Sequence, residues 1–439
     1  MKEYTHEAVE LLKRLIATPS VSRDESAAAD VMCQAMDRYG LKWQREGNNV
    51  WTIAPGYRED RPTLLLNAHI DTVKPVATWI RDPFTPTIEG ERLYGLGAND
   101  CGGGLVALLQ LFRVLTSVPS DHRLQTSDFR PQTLDDRPQT LDFRPQTSDF
   151  RPQTLDDRLQ TSDFRPQTLD DRPQTLDFRP QTLDFRPQTL DFRPQTLDDR
   201  LQTLDGRLQA EGFNVIYLAS AEEEVSGKDG IERVLPLLPP IDVAIVGEPT
   251  GMQPATAEKG LMVIDGYSHG VSGHAARDEG VNAIYEALDD LLWLRDYRFE
   301  RVSPLLGPTK MQVTVVESGT QHNVVPDKLH FIIDVRTNEY YSNEEVFDFL
   351  QQHVKSELKA RSFRLHSSSI SDDHWLVRRC RQLGLLPFGS PTLSDQALMP
   401  FPSLKLGPGQ SSRSHSADEY ICVSEIEHAI ATYCHLLGV

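Results

Sequence analysis

Histidines and carboxylates recur along this chain in short clusters: His69-Ile-Asp71, Asp100 inside a glycine-rich run, Glu222-Glu223-Glu224, Glu248 before a proline, and His415 in a serine-rich loop. Imidazole nitrogen and carboxylate oxygen are the donors that hold a hydrolytic divalent metal, and such a site also needs an outer carboxylate to move protons. In an extended segment His69 and Asp71 face the same side, so Asp71 can fix the imidazole tautomer from behind. Asp100 stands in Gly-Leu-Gly-Ala-Asn-Asp-Cys-Gly-Gly-Gly (95–104). Glycines there let the backbone approach closely and leave a carboxylate free to bridge two metals, although the same aspartate alone reads equally as a helix N-cap. Three successive glutamates repel one another unless cations or protons intervene, while acidic residues also favour helix N-termini.

These side chains need rigid elements to carry them. Residues 63–67, Thr-Leu-Leu-Leu-Asn, form an apolar run suited to a buried strand that delivers His69 and Asp71 at its end. Residues 214–220 form a second such run before the glutamates, and 242–246 a third before Gly-Glu248-Pro-Thr. Leu105, Val106, Leu108, Leu109, Leu111 and Phe112 follow the glycines as a buried helix. Apolar strands alternating with helices predict an α/β sandwich on a mainly parallel sheet, in which ligands bind beyond the carboxyl ends of the strands. From about residue 258 the pattern changes, with strands expected over 261–266, 310–317 and 329–336 and helices over 280–293 and 343–360. This describes a separate α+β unit across 258–366, after which 367–439 returns to helix and loop and rejoins the first part, 1–257.

Composition narrows the partners. At 439 residues the chain can hold two domains, and 39% hydrophobic with 25% charged residues is ordinary for a globular protein. Without a run of 18 apolar residues it offers no membrane span, and a net charge of -19 opposes nucleic acid and anionic lipid. A small-molecule partner fits better. Five scattered cysteines suggest neither a disulfide framework nor a thiolate zinc site. The first residues lack the basic-then-apolar order of a signal peptide, so a cytoplasmic location is expected. Residues 123–206 are twelve heptads of the type Arg-Pro-Gln-Thr-Leu-Asp-Phe, nine of them carrying proline, which breaks helix and argues against a coiled coil. With one or two apolar residues per heptad, the repeat is expected to be a disordered surface insert.

Taken in order, Ala-His69-Ile-Asp71, Gly-Ala-Asn-Asp100-x-Gly-Gly, Glu223-Glu224, Gly-Glu248-Pro-Thr, Gly273-His274 and Gly-Pro-Gly with His415 resemble the superfamily of acetylornithine deacetylase, succinyl-diaminopimelate desuccinylase, aminoacylase and glutamate carboxypeptidase. The likeness spans the chain apart from the repeat, and six motifs in order are far more specific than any one. It implies a catalytic domain with two zinc ions, cobalt or manganese being alternatives, interrupted by an α+β dimerisation (lid) domain. Asp100 would bridge the metals, His69 and Glu248 would hold one and Glu224 and His415 the other. Glu223 would be the general base, although Glu222, where many relatives have Asp, makes that assignment ambiguous by one place. Asp71 would orient His69, and His274, otherwise a surface histidine, would reach the partner subunit's site in a homodimer. Asn323 and Arg336 match substrate-linked positions, Arg336 gripping an α-carboxylate or serving as a structural arginine.

Within that superfamily, Ser394-Asp395-Gln-Ala-Leu-Met and Gly407-Pro-Gly-Gln-Ser-Ser-Arg-Ser-His415 look most like acetylornithine deacetylases. The implied reaction is hydrolysis of an α-N-acyl amino acid, first N-acetyl-L-ornithine in arginine biosynthesis, with N-succinyl-L-ornithine or N-succinyl-diaminopimelate as alternatives. A reading from a different class is a non-catalytic interaction protein that displays the repeat, but an intact candidate base and five candidate ligands argue against decay of the site. The expectation for the repeat is checked by circular dichroism of a peptide spanning 123–206, which should lack helical minima.

Overall fold

The computed structural model describes residues 1–117 and 212–439. The disorder expected of the repeat at 123–206 lies outside the described residues. The larger sheet runs in the order Trp43–Glu46, Asn49–Ile53, Asn214–Ser220, Thr63–His69, Val243–Val246, Ser403–Lys405, Ala255–Glu258 and Ser368–Ser369, and Phe388–Ser390 also pairs with Ala255–Glu258. The four central strands, Asn214–Ser220 through Ser403–Lys405, are mutually parallel, while the margins are largely antiparallel. The α/β class expected from sequence is thus present, with its parallel character concentrated at the centre.

Every residue of Thr63–His69 and Asn214–Ser220 is buried, because both faces of a central strand are covered. Alternation sends Leu64, Leu66, Val215, Tyr217 and Ala219 into a core shared with the helices Lys2–Ile16, Ser26–Arg38, Gly103–Ser117 and Val423–Leu437. Leu65, Ile216 and Leu218 face the other way, onto Trp51, Ile231 and Val234. No helix among the described residues is long and apolar enough to cross a membrane.

A second sheet, antiparallel throughout, is ordered Lys310–Ser318, Lys328–Arg336, Met262–His269, Glu357–Ala360. Its period-two inward residues, among them Ile264, Phe331 and Ile333, form a separate core with Ala287 and Leu294 of the helix Ala283–Asp296 and Val346 and Leu350 of the helix Asn343–His353. The helix expected over 343–360 therefore ends early, and Glu357–Ala360 is a strand. The cause is Asp290, whose carboxylate accepts the backbone N–H groups of Lys355 and Ser356 and the Ser356 hydroxyl, turning the chain where a helix would continue. Asn282 caps the other helix by accepting the Ile284 N–H, which sets its start at Ala283 rather than 280. The last segment, read from sequence as helix and loop, also contributes Ser403–Lys405 to the middle of the larger sheet; three residues are too few to show a period.

Close backbone approach links the first helix turn after Asp100 to the turn that carries Glu248. A methyl group on Gly104 would overlap the carbonyl oxygen of Gly247. Gly104→Ala is accordingly expected to lower stability by about 1–3 kcal/mol in urea unfolding, as overpacking of a filled interior does.

Candidate metal centre

His69, Asp100, Glu223, Glu224, Glu248 and His415 converge where the parallel strands end. His69 closes the strand Thr63–His69, and its Nδ1–H donates to the backbone carbonyl of Asp71 at 2.9 Å. A carbonyl oxygen can only accept, so this bond leaves Nε2 facing the cluster. Nε2 lies 3.4 Å from Asp100 Oδ1, 3.5 Å from Glu248 Oε1 and 3.8 Å from Glu223 Oε2. On the other side, His415 Nε2 lies 2.9 Å from Glu224 Oε2 and 3.5 Å from Asp100 Oδ2. The two oxygens of Asp100 thus face different histidines.

Asp71 braces this arrangement. Its carboxylate accepts the Ser22 hydroxyl at 2.7 Å and the backbone N–H groups of Glu223 and Glu224 at 3.1 and 3.2 Å. Those bonds fix the short 3₁₀ turn Glu223–Val225 beyond the strand Asn214–Ser220, entered through Glu222 in the left-handed region at φ 54°. The turn directs Glu223 and Glu224 toward the histidines, whereas the Glu222 side chain packs against Gly227.

The electrostatics are one-sided. Among the described residues no lysine or arginine forms an ion pair with Asp100, Glu223, Glu224 or Glu248; only histidines do. Burial, reinforced by Glu248, Asp395 and Glu224, pushes Glu223 well above the usual carboxylate range against the pull of His69. Burial and the charge of Asp100 push Glu248 up to about 8, and one of its oxygens, Oε1, is buried without a hydrogen-bond donor. The bond to Glu224 pushes His415 up to about 9. Crowded carboxylates, an orphaned buried oxygen and two imidazoles form an oxygen and nitrogen donor set that fits divalent cations such as zinc, cobalt or manganese. Two groupings, His69 with Asp100 and Glu224, and His69 with Cys101 and Glu248, have donor atoms close enough to share an ion.

Other residues belong to the surroundings of the cluster. Cys101 accepts the His69 backbone N–H at 3.2 Å through Sγ, Asp395 accepts the Ser220 hydroxyl at 2.6 Å, and Glu419 accepts backbone N–H groups beside Asp100. Sequence reasoning does not single out Cys101 or Glu419, since neither has a partner at motif spacing; Glu419 follows His415 by four residues, and that proximity is the available signal. The structure does not bring His274, Asn323 or Arg336 into hydrogen-bond contact with the cluster, among the described residues. His274 lies exposed on a two-stranded ribbon, Gly273–His274 with Val324–Val325, and the Asn323 carbonyl accepts the Ala275 N–H. Arg336 ends the strand Lys328–Arg336, its Nε and Nη2 donating to Asp334 at 2.9 and 3.1 Å.

A parallel-centred α/β sheet with carboxylates and histidines gathered beyond its strand ends fits a metal-dependent hydrolase. Two stretches of the chain match models of known protein families. Residues 65–124 match peptidase family M20/M25/M40 and residues 256–362 match its peptidase dimerisation domain. A succinyl-diaminopimelate desuccinylase of Delftia acidovorans is 22% identical over 374 residues, 80% of this chain and 72% of that protein. One of Anaplasma marginale is 33% identical over 116 residues, 25% of this chain and 30% of its own length. In fold, the chain resembles aminopeptidase PepT of Bacillus cereus, with a TM-score of 0.63 at 13% identity over 99% of this chain and 98% of that one. It also resembles a dinuclear metal-binding M20 peptidase of Bacillus subtilis, with a TM-score of 0.59 at 14% identity over 100% and 98%. The chain has the M20 peptidase fold, with a catalytic part and a dimerisation domain, and is a hydrolase acting on amide bonds.

Metal titration of chelator-stripped protein, read by elemental analysis, is expected to reach two equivalents. His415→Ala should retain about one, and Asp100→Ala should lose both, because its carboxylate faces both groups.

Proposed function

We propose that this protein is a metal-dependent amidohydrolase that removes the acyl group from an α-N-acyl amino acid. The observation that carries the proposal is Asp100 set between His69 with Glu248 and His415 with Glu224, with Glu223 alongside. In this reading Asp100 would bridge two divalent ions, zinc foremost, with those pairs as terminal ligands. Bound there, the ions would supply Lewis acidity toward water and the amide carbonyl. Glu223 is the proton carrier. Its carboxyl sits high in pKa, so it can take the proton of the attacking water and pass it to the leaving amine nitrogen as the C–N bond breaks. Asp71 holds the His69 ring and the Glu223–Glu224 backbone in place while charge develops.

The same reading makes 258–366 the dimerisation unit and 1–257 with 367–439 the catalytic part of a cytoplasmic homodimer. His274, exposed on its ribbon, would donate to the oxyanion in the partner's site, with Asn323 beside it. Asp334 engages the Nε–Nη2 edge of Arg336, so a substrate carboxylate would meet the guanidinium through its other edge.

On the acyl group, the desuccinylase names of the relatives support a succinyl substrate, on ornithine or diaminopimelate, over the acetyl group of N-acetyl-L-ornithine. Acetylornithine rests on the segments 394–399 and 407–415 alone. The decisive assay measures amino acid released from N-acetyl-L-ornithine, N-succinyl-L-ornithine and N-succinyl-diaminopimelate by protein stripped of metal and reloaded with zinc. Metal-dependent release from one of them is expected, with Glu223→Ala reducing turnover by about 10²–10⁴-fold at unchanged metal content. Silence on all three with two equivalents bound would overturn the proposal.

A further inference from the structure

Glu419 is 2% exposed, yet no lysine, arginine or histidine pairs with it among the described residues. Its Oε1 instead accepts the backbone N–H of Asn99 at 2.8 Å and of Asp100 at 2.9 Å. A buried carboxylate costs free energy unless its oxygens are satisfied, so a glutamate placed here has to be explained by what those N–H groups gain. They belong to the segment that presents the aspartate facing both histidines. The Glu419 backbone carbonyl accepts the Gly95 N–H, holding the start of the same glycine-rich run.

A second set of bonds closes the same loop from the other direction. Asn99 Nδ2 donates to the Gln410 carbonyl at 3.0 Å and to Ser414 Oγ at 3.3 Å, and Asn99 Oδ1 accepts the Gln410 N–H at 2.9 Å. The stretch from Gln410 to Glu419 therefore both carries His415 and grips the backbone of Asp100, across more than 300 residues of sequence.

We propose that Glu419 is a positioning residue that aims the Asp100 carboxylate, through its backbone, at both metal positions at once. The inference rests on the metal-centre reading above. Its role is that of a hydrogen-bond acceptor: Asp100 stays aligned because two consecutive N–H groups on one side of its peptide are tied to a buried oxygen that cannot move.

The test uses full-length protein and cobalt, whose visible spectrum reports ligand geometry independently of turnover. Glu419→Ala is expected to weaken cobalt binding by about 10–100-fold and to change the spectrum. Glu419→Gln, whose amide oxygen still accepts both N–H groups, should match the wild type. Glu419→Asp withdraws the oxygen by one methylene and should give an altered spectrum, and it decides the matter if the alanine variant does not fold. Wild-type affinity and spectrum in both the alanine and aspartate variants would overturn the inference, as would a loss in Glu419→Gln equal to that in Glu419→Ala. Failure of the wild type itself to bind cobalt would instead remove the metal-centre reading, which separates the two.

Discussion

Four carboxylates held close together, none of them ion-paired to a lysine or arginine among the described residues, are the constraint around which this chain is organised. At hydrogen-bonding distances like charges repel by several kcal/mol in a partly desolvated pocket. The fold must therefore supply enough independent anchoring to hold Asp100, Glu223, Glu224 and Glu248 together. It does so by ending parallel strands at one edge, so that His69, Glu223 and Glu248 leave neighbouring strands side by side. Burial first, and crowding after it, raises the pKa of Glu223 and Glu248, and His415 answers Glu224 with a direct bond.

The anchoring itself is done largely by buried acids that accept backbone N–H groups around the cluster. Asp71 takes the N–H groups of Glu223 and Glu224, Glu419 those of Asn99 and Asp100, and Glu25 that of Glu222. Each fixes a turn by accepting from backbone, so the position of a ligand follows from main-chain geometry more than from side-chain packing. Tight glycine contacts serve the same end, since Gly104 and Gly407 both lie against Gly247, the residue before Glu248.

Much of this was legible from residue types in order. The apolar runs before His69, Glu222 and Glu248 announced buried strands, and the ends of those strands do bring His69, Glu223, Glu224 and Glu248 together, while turns supply Asp100 and His415. Asp71 does stand behind His69, but its backbone carbonyl, not the carboxylate the spacing pointed to, accepts the Nδ1–H, and the carboxylate goes to Ser22 and the Glu223 and Glu224 N–H groups. The short elements were not legible: Glu357–Ala360 is a strand because Asp290, sixty-five residues before Lys355, turns the chain ahead of it. Glu419 escaped for the same reason, as its partners are backbone groups about 320 residues away and no motif encodes them. His274, Asn323 and Arg336 carry family signals, but a single subunit gives them no contact with the cluster through which their chemistry could be read.

The bonds between Asn99 and the stretch from Gln410 to Ser414 have a temporal side. The chain is made from its amino end, and Asp100 emerges long before His415 and Glu419 exist. Through most of synthesis the carboxylates beyond the first strands lack both the histidine that meets Glu224 and the acceptor that steadies Asp100. A nascent chain can build its strands progressively, but its cluster is completed only after the stretch from Gln410 to Glu419 has left the ribosome. Under the proposed metal-centre reading, an ion met earlier would find a donor set that lacks His415.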